Sequence, residues 1–207
     1  MFSIFRKAFN LPEFLERMKK NVPFIILFCL LLPVVLSLLS YRVTLLVYPL
    51  TEQQQNVIEF LHEDHELQGA FTAAEISHLE DVRLVLIAAD GLLFFSFLAL
   101  LILLTHCRRE KELLNDLLKY GGICTVALSG IVFFCALFTF NQTFVLFHQL
   151  FFPQGNWQFP ADSLLLTTFP EHFFNTVSLL IFLSVVVIGS LLIALSVIIE
   201  RKRRKKK

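Results

Sequence analysis

"VRLVLIAADGLLFFSFLALLILLT", residues Val82–Thr105, has Arg83 and Asp90 as its only charged residues. A helix needs about 20 residues to cross the roughly 30 Å hydrocarbon core of a bilayer, so this stretch is long enough to span it. Its apolar residues surround the whole helix instead of forming one stripe, which argues against a helix on the surface of a soluble bundle. Working outward, three more stretches have the same character: Val22–Val47, Gly121–Phe147 and Val177–Ile199. Composition agrees, with 56% hydrophobic residues, 24 Phe and a mean hydropathy of +0.70 over 207 residues. The expected fold is therefore an all-α integral membrane protein, one domain over residues 1–207 with four transmembrane helices. The first apolar run has no small-residue cleavage site and is read as a helix, not as a signal peptide.

Charge orients the bundle. Arg6, Lys7, Arg17, Lys19 and Lys20 precede the first span, and Arg108, Arg109, Lys111 and Lys119 lie between the second and third. "RKRRKKK" (Arg201–Lys207) follows the fourth; only Arg42 and Arg83 fall outside these three segments. Positive residues stay on the cytoplasmic side, so the amino and carboxyl termini are expected to be cytoplasmic. A basic run directly after a span reads as an anchor beside anionic lipid, not as a nucleic-acid patch. Glu13–Lys20 is expected as a short helix on the inner surface.

The two remaining loops, about residues 48–81 and 148–176, contain no Lys or Arg and are expected to form a small extracellular cap. Thr51 with Gln54 and Thr72 with Glu75 both match the S/T-x-x-E/Q capping box. The first predicts a short helix with Val57, Ile58 and Leu61 on one face. The second predicts a helix from about Ala73 through His78 and Asp81 into the second span. Pro153–Gln154–Gly155–Asn156 is turn chemistry, and Pro170 suits the first turn of the fourth span. Cys29, Cys107, Cys124 and Cys135 form no CxxC pair and read as small hydrophobes.

No P-loop, dinucleotide fingerprint, HExxH or G-x-S-x-G motif is present. The candidate chemistry lies in histidines. His62 and His65 ("HEDH") would share a helix face and could hold a metal with Glu66, or form a solvated polar face. His78 precedes the second span by a few residues. His148 lies roughly 40 Å along the helix axis from Gly121, just past the far edge of the core. Both therefore reach one interface, where Glu75 and Asp81, three residues to either side of His78, could orient its ring. From the residues alone such a pair is structural as readily as catalytic. Arg42 and Arg83 depart from the positive-inside pattern and either snorkel or grip a ligand. Asp90 is the acid within a span and a partner for Arg42 or another buried donor.

"AFTAAEISHLEDVR" (Ala70–Arg83), followed by a span, and "FHQLFFPQGNWQFPADSLLLTTFPEHFF" (Phe147–Phe174), entering the last span, together resemble the bacterial lipoprotein intramolecular transacylase family, Lit. The resemblance covers nearly the whole chain, and its F-F-P-x-G-N-W-x-F-P core is fairly specific. It implies transfer of the sn-2 fatty acid of a diacylglyceryl-modified N-terminal cysteine onto that cysteine's own α-amine, giving an N-acyl lyso-form lipoprotein. His78 and His148 would be the catalytic pair. Arg42, Arg83, Phe147, Phe151, Phe152, Gln154, Asn156, Trp157 and Phe159 would bind substrate, with Gln154, Asn156 or backbone N–H groups of the turn stabilising an oxyanion. No cofactor or metal is implied. The partners would be diacylglyceryl-modified lipoproteins and membrane lipid, with no nucleic acid, and the working unit a monomer in the bacterial cytoplasmic membrane. Two alternatives stand beside this reading: a non-catalytic membrane chaperone or receptor, and a metal-dependent membrane hydrolase using His62 and His65.

Overall fold

Four helices in this computed structural model are long and apolar enough to cross a membrane. The structure describes residues 11–63 and 65–205, and the side chains of these apart from residues 11–19 and 136. In chain order the helices are α1 (Leu11–Val47), α2 (Glu52–His62), α3 (Ala73–Cys107), α4 (Lys111–Phe138), α5 (Phe140–Phe151), α6 (Leu164–Thr168) and α7 (Glu171–Arg204). Among the described residues there is no strand. Only 11–22% of the most apolar window of each long helix is buried within the protein. Large apolar side chains such as Leu30, Phe94, Phe95, Ile102, Val132 and Leu191 stand exposed on these helices, as a lipid-facing bundle requires.

α1, α3, α4 and α7 form the bundle, with α4 and α7 the most closely packed pair. Their approach depends on glycine. A Cβ added at Gly122 would stand 2.7 Å from the Gly189 carbonyl oxygen, and one at Gly189 would stand 2.9 Å from Val126 Cγ2. Small residues allow two backbones to meet this way in lipid, where apolar association has no water-driven component. Polar groups complete the seam: Ser196 donates to the Asn115 carbonyl (3.3 Å), Asn115 Nδ2 to Glu200 (3.2 Å), and Lys119 pairs with Glu200 (3.4 Å). A separate apolar cluster of Phe28, Leu32, Val35, Leu100, Leu103, Cys107, Leu113 and Leu117 joins α1, α3 and α4 at the basic end. There Lys20 pairs with Glu110 (3.2 Å) and Arg203 donates to the Lys111 carbonyl (2.6 Å).

At the opposite end the loops fold into a cap. Both capping boxes form, at Thr51–Gln54 and Thr72–Glu75, each satisfying two otherwise orphaned N–H groups. α2 buries Val57 and Leu61, which meet Phe71, Leu79 and Leu165 in a second apolar cluster. Gln54 Nε2 donates to the Thr168 carbonyl (2.8 Å), tying α2 to α6.

The structure departs from the sequence reading in four places. The third span is broken: α4 ends at Phe138, Thr139 leaves the helical region (φ −130°, ψ 39°), and α5 carries the chain on to Phe151. Thr139 and Thr143 hydroxyls both donate to the Cys135 carbonyl, so the break leaves that oxygen satisfied. Glu13–Lys20 continues directly into α1. Pro170 is the N-cap of α7, one position before the first turn. α2 stops at His62 with Glu63 as an extended C-cap, so His62 and His65 share no helical face.

Gly122→Ala should lower thermal stability in detergent by about 1–3 kcal/mol, the usual cost of overpacking, because its Cβ meets a backbone carbonyl. Gly130→Ala, whose Cβ meets nothing within 4 Å, should leave the melting temperature unchanged or slightly raised. Equal effects of the two would contradict the close α4–α7 crossing.

Candidate active site

Three local features bring His78 and His148 together. The Thr72–Glu75 box starts α3 early enough for His78 to lie on its second turn, 5% exposed. α5 positions His148 one turn from its end. The turn that follows then folds back: Gly155, at φ +79°, takes a conformation few other residues adopt, and its N–H donates to the Phe152 carbonyl (3.1 Å). The two imidazoles stack with centroids 5.8 Å apart and planes at 29°.

Aromatic rings enclose the pair. Phe152, 2% exposed, presents an edge to His78 at 4.8 Å, and Phe159 lies 5.7 Å from the same ring. Phe144 and Trp157 flank His148 at 3.9 and 5.0 Å. Both histidines open onto a cavity of about 560 Å³, within the usual range for a small-molecule or lipid pocket. Its walls come from α1 (Tyr41, Leu45), the apolar face of α2, the first turns of α3, α5, and the segment from Phe152 to Val177.

His148 Nδ1 lies 2.8 Å from the Phe144 carbonyl, which only accepts, so neutral His148 carries its proton on Nδ1 and leaves Nε2 unprotonated. His148 sits just beyond the apolar span. Burial in this apolar setting holds it below the ordinary imidazole pKa of 6.5, opposed in part by the Phe144 hydrogen bond. Two imidazolium ions at this separation would repel, so the pair favours holding one proton at most.

The other expected site residues are distributed unevenly. Phe147, Phe152, Trp157 and Phe159 line the cavity, whereas Phe151, Gln154, Asn156, Arg42 and Arg83 do not. Gln154 Nε2 and Asn156 Nδ2 both donate to Asp81 Oδ2 (2.7 and 2.6 Å). Arg42 is engaged with Asp90 through two nitrogens, Nε at 3.1 Å, joining α1 to α3. Arg83 donates to the Glu63 carbonyl (2.9 Å) and lies over the Phe60 ring at 5.6 Å. Glu75, expected as an orienter of His78, instead accepts from Leu165 N, Thr72 N and Thr72 Oγ1 at 2.7–2.8 Å.

The HEDH stretch builds no metal centre among the described residues. His62 Nε2 bonds to the Tyr41 hydroxyl (3.2 Å), and His65 stands 3.9 Å from Glu59. Sequence reasoning missed Tyr41, Phe140, Asn141, Phe144, Glu171 and Phe173 as cavity residues. Phe144 had a usable signal, being four residues before His148 on one helical face; the others looked like ordinary span or loop residues.

The described residues thus place a histidine pair on an aromatic-walled pocket at one end of four helices of membrane-spanning length, the class of an integral-membrane helical protein. A family model described as lipoprotein intramolecular transacylase Lit matches residues 24–174, and the chain belongs to that family of intramolecular acyltransferases. The membrane-integral Lit of Bacillus cereus has a similar fold, with a TM-score of 0.73 at 17% identity over 90% of this chain and 99% of that one. Structures of two variants of that protein, with one histidine changed to arginine or to alanine, match with TM-scores of 0.73 at 16% identity. They cover 95% and 93% of this chain, respectively, and 99% of theirs. No curated protein sequence matches the chain.

Because burial depresses the His148 pKa, an NMR titration of labelled histidine should place its midpoint below 6.5. The stability owed to the neutral ring is present above the unfolded value and is lost as pH falls through the folded midpoint. A midpoint at or above 6.5 would contradict the enclosure described.

Proposed function

We propose that the chain moves the sn-2 fatty acid of a diacylglyceryl-modified N-terminal cysteine onto the α-amine of the same cysteine. The observation that carries this reading is the stacked pair His78–His148 on an apolar cavity of about 560 Å³. The pocket has room for an acyl chain and two titratable groups to handle one proton.

The reacting atoms set the requirement. From the amine nitrogen through Cα, Cβ, sulfur, two glycerol carbons, the ester oxygen and the carbonyl carbon, attack closes a ring of about eight atoms. Holding both ends in reacting geometry removes much of that entropic cost. The amine nitrogen forms the new C–N bond, the sn-2 C–O bond breaks, and the proton lost by nitrogen ends on the sn-2 oxygen. No oxidant, reductant or water is consumed. An imidazole is a suitable carrier, because its reference pKa of about 6.5 lies near that of an α-amine, about 7.7–8.0. One histidine takes the amine proton and, once that proton has passed to the other ring, the second gives it to the leaving alkoxide, so the pair never holds more than one. The imidazolium formed on the way is also the cation nearest the developing oxyanion, since Arg42 is held by Asp90 and the Gln154 and Asn156 nitrogens by Asp81. Phe147, Phe152, Trp157 and Phe159 form the wall along which the acyl chain lies.

The basic end of the bundle is taken as cytoplasmic, with the cap on the outer face of a bacterial cytoplasmic membrane where lipidated cysteines are presented. The chain works as a monomer on one lipoprotein at a time.

His78→Ala and His148→Ala should each lower conversion of a diacylglyceryl lipoprotein on the order of 10²-fold or more, read by mass spectrometry of the N-terminal peptide. Full conversion by either variant at normal expression removes that residue from the pair. For orientation, Gln68→Cys and Lys205→Cys in a chain lacking its own cysteines should react with an impermeant thiol reagent on intact cells only at position 68. Labelling at 205 alone reverses the proposed topology.

A further inference from the structure

His78 has a second unusual feature besides its neighbour. Its Nδ1 is buried without a hydrogen-bond partner, and so is the side-chain oxygen of Asn156. Asp81, which the Asn156 amide meets at 2.6 Å, lies three residues after His78 on α3, so the two orphaned atoms belong to the same corner of the site. One atom is a ring nitrogen able to donate and the other is an amide oxygen able only to accept. Each left alone in an apolar enclosure loses its bonds to water without replacing them, which disfavours that arrangement. Hydrogen bonds of this kind are often long or misaligned in an empty site and tighten once substrate is bound.

Which way an amide faces is set by its surroundings, and here Asp81 sets it. An ionised carboxylate accepts and cannot donate, so the group 2.6 Å from Asp81 Oδ2 must be the Asn156 NH₂. Gln154 donates to the same oxygen at 2.7 Å and holds the turn in place. The Asn156 oxygen therefore has no alternative orientation in which it exchanges with the nitrogen.

We propose that Asp81 and Asn156 are positioning residues for the reaction: Asp81 fixes the Asn156 amide, and the amide oxygen holds the His78 proton on Nδ1. Neutral His78 then has Nε2 as its unprotonated nitrogen, as His148 does through the Phe144 carbonyl. Both rings are anchored by one nitrogen and work through the other. This inference rests on the transacylase reading for its kinetic part, but its structural part stands without it. It also gives Asn156 a role different from oxyanion donor, since its NH₂ is already committed.

The test uses the full chain in detergent micelles with ¹⁵N-labelled histidine, at a pH where the rings are neutral. ¹⁵N shifts separate the Nδ1–H from the Nε2–H tautomer. Wild-type protein should show His78 as Nδ1–H. Asp81→Asn, which lets the amide face either way, and Asn156→Leu, which removes the acceptor, should each convert that signal to a mixture. The conversion rate at saturating lipoprotein should fall on the order of 10²-fold, with KM changed by no more than about twofold. Asp81 is only half buried, so Asp81→Asn provides a readout should Asn156→Leu not fold. An unchanged Nδ1–H signal in either folded variant overturns the proposal, even if the rate falls, because the loss would then be structural. If the tautomer shifts but wild-type protein converts no lipoprotein, the positioning role holds and the transacylase reading fails.

Discussion

The Glu75 carboxylate is 1% exposed, an acid buried beside the apolar cluster of the cap. Burial of such a group is tolerable only if its oxygens are occupied, and here they accept from two backbone N–H groups and a hydroxyl. Two of these donors belong to Thr72, which starts α3, and one to Leu165, at the beginning of α6. A single side chain therefore ends one loop and pins the other across ninety residues of chain. It lies one helical turn before His78, so the same anchor that seats the cap also fixes where the first imidazole stands. Leu79 and Leu165, which pack in the cap cluster, also line the cavity. Loss of the Glu75 anchor would loosen the site and the cap together.

The bundle and the cap are held by different physics. In the spans, Gly122 and Gly189 allow close backbone contact, and Ser196, Asn115 and Glu200 supply polar contacts, because lipid gives apolar side chains no reason to prefer one another. In the cap, the cluster of Val57, Leu61, Phe71, Leu79 and Leu165 is an ordinary water-driven core in miniature. The histidine pair stands where these two regimes meet. In the proposed reaction, that position would let an amine and a fatty acyl chain share one pocket.

Much of this was legible in the residues. Long apolar runs gave four spans, and the two capping boxes gave the starts of α2 and α3, because both signals are local and need no knowledge of neighbours. That His78 and His148 reach the same interface was also legible, since depth along a helix can be counted, whereas their pairing came from the family resemblance. What could not be read were the pairings that fold decides. Nothing local marks Thr139 as a break within an apolar run. The commitment of Gln154 and Asn156 to Asp81 requires the turn to land on α3, and the end of α2 at His62 separates two histidines whose spacing suited a helix. Tyr41 and Phe173 became cavity residues only through packing between distant elements.

The break at Thr139 also affects how His148 is held. None of the twelve residues of α5 is buried within the protein. His148 thus rides on a helix supported by ring stacking on one side and, on the other, by whatever surrounds the membrane domain. The exposed apolar side chains of α5 are a surface for lipid to cover, so in the proposed reaction the acyl-chain order of the bilayer would share in setting the spacing of the two imidazoles.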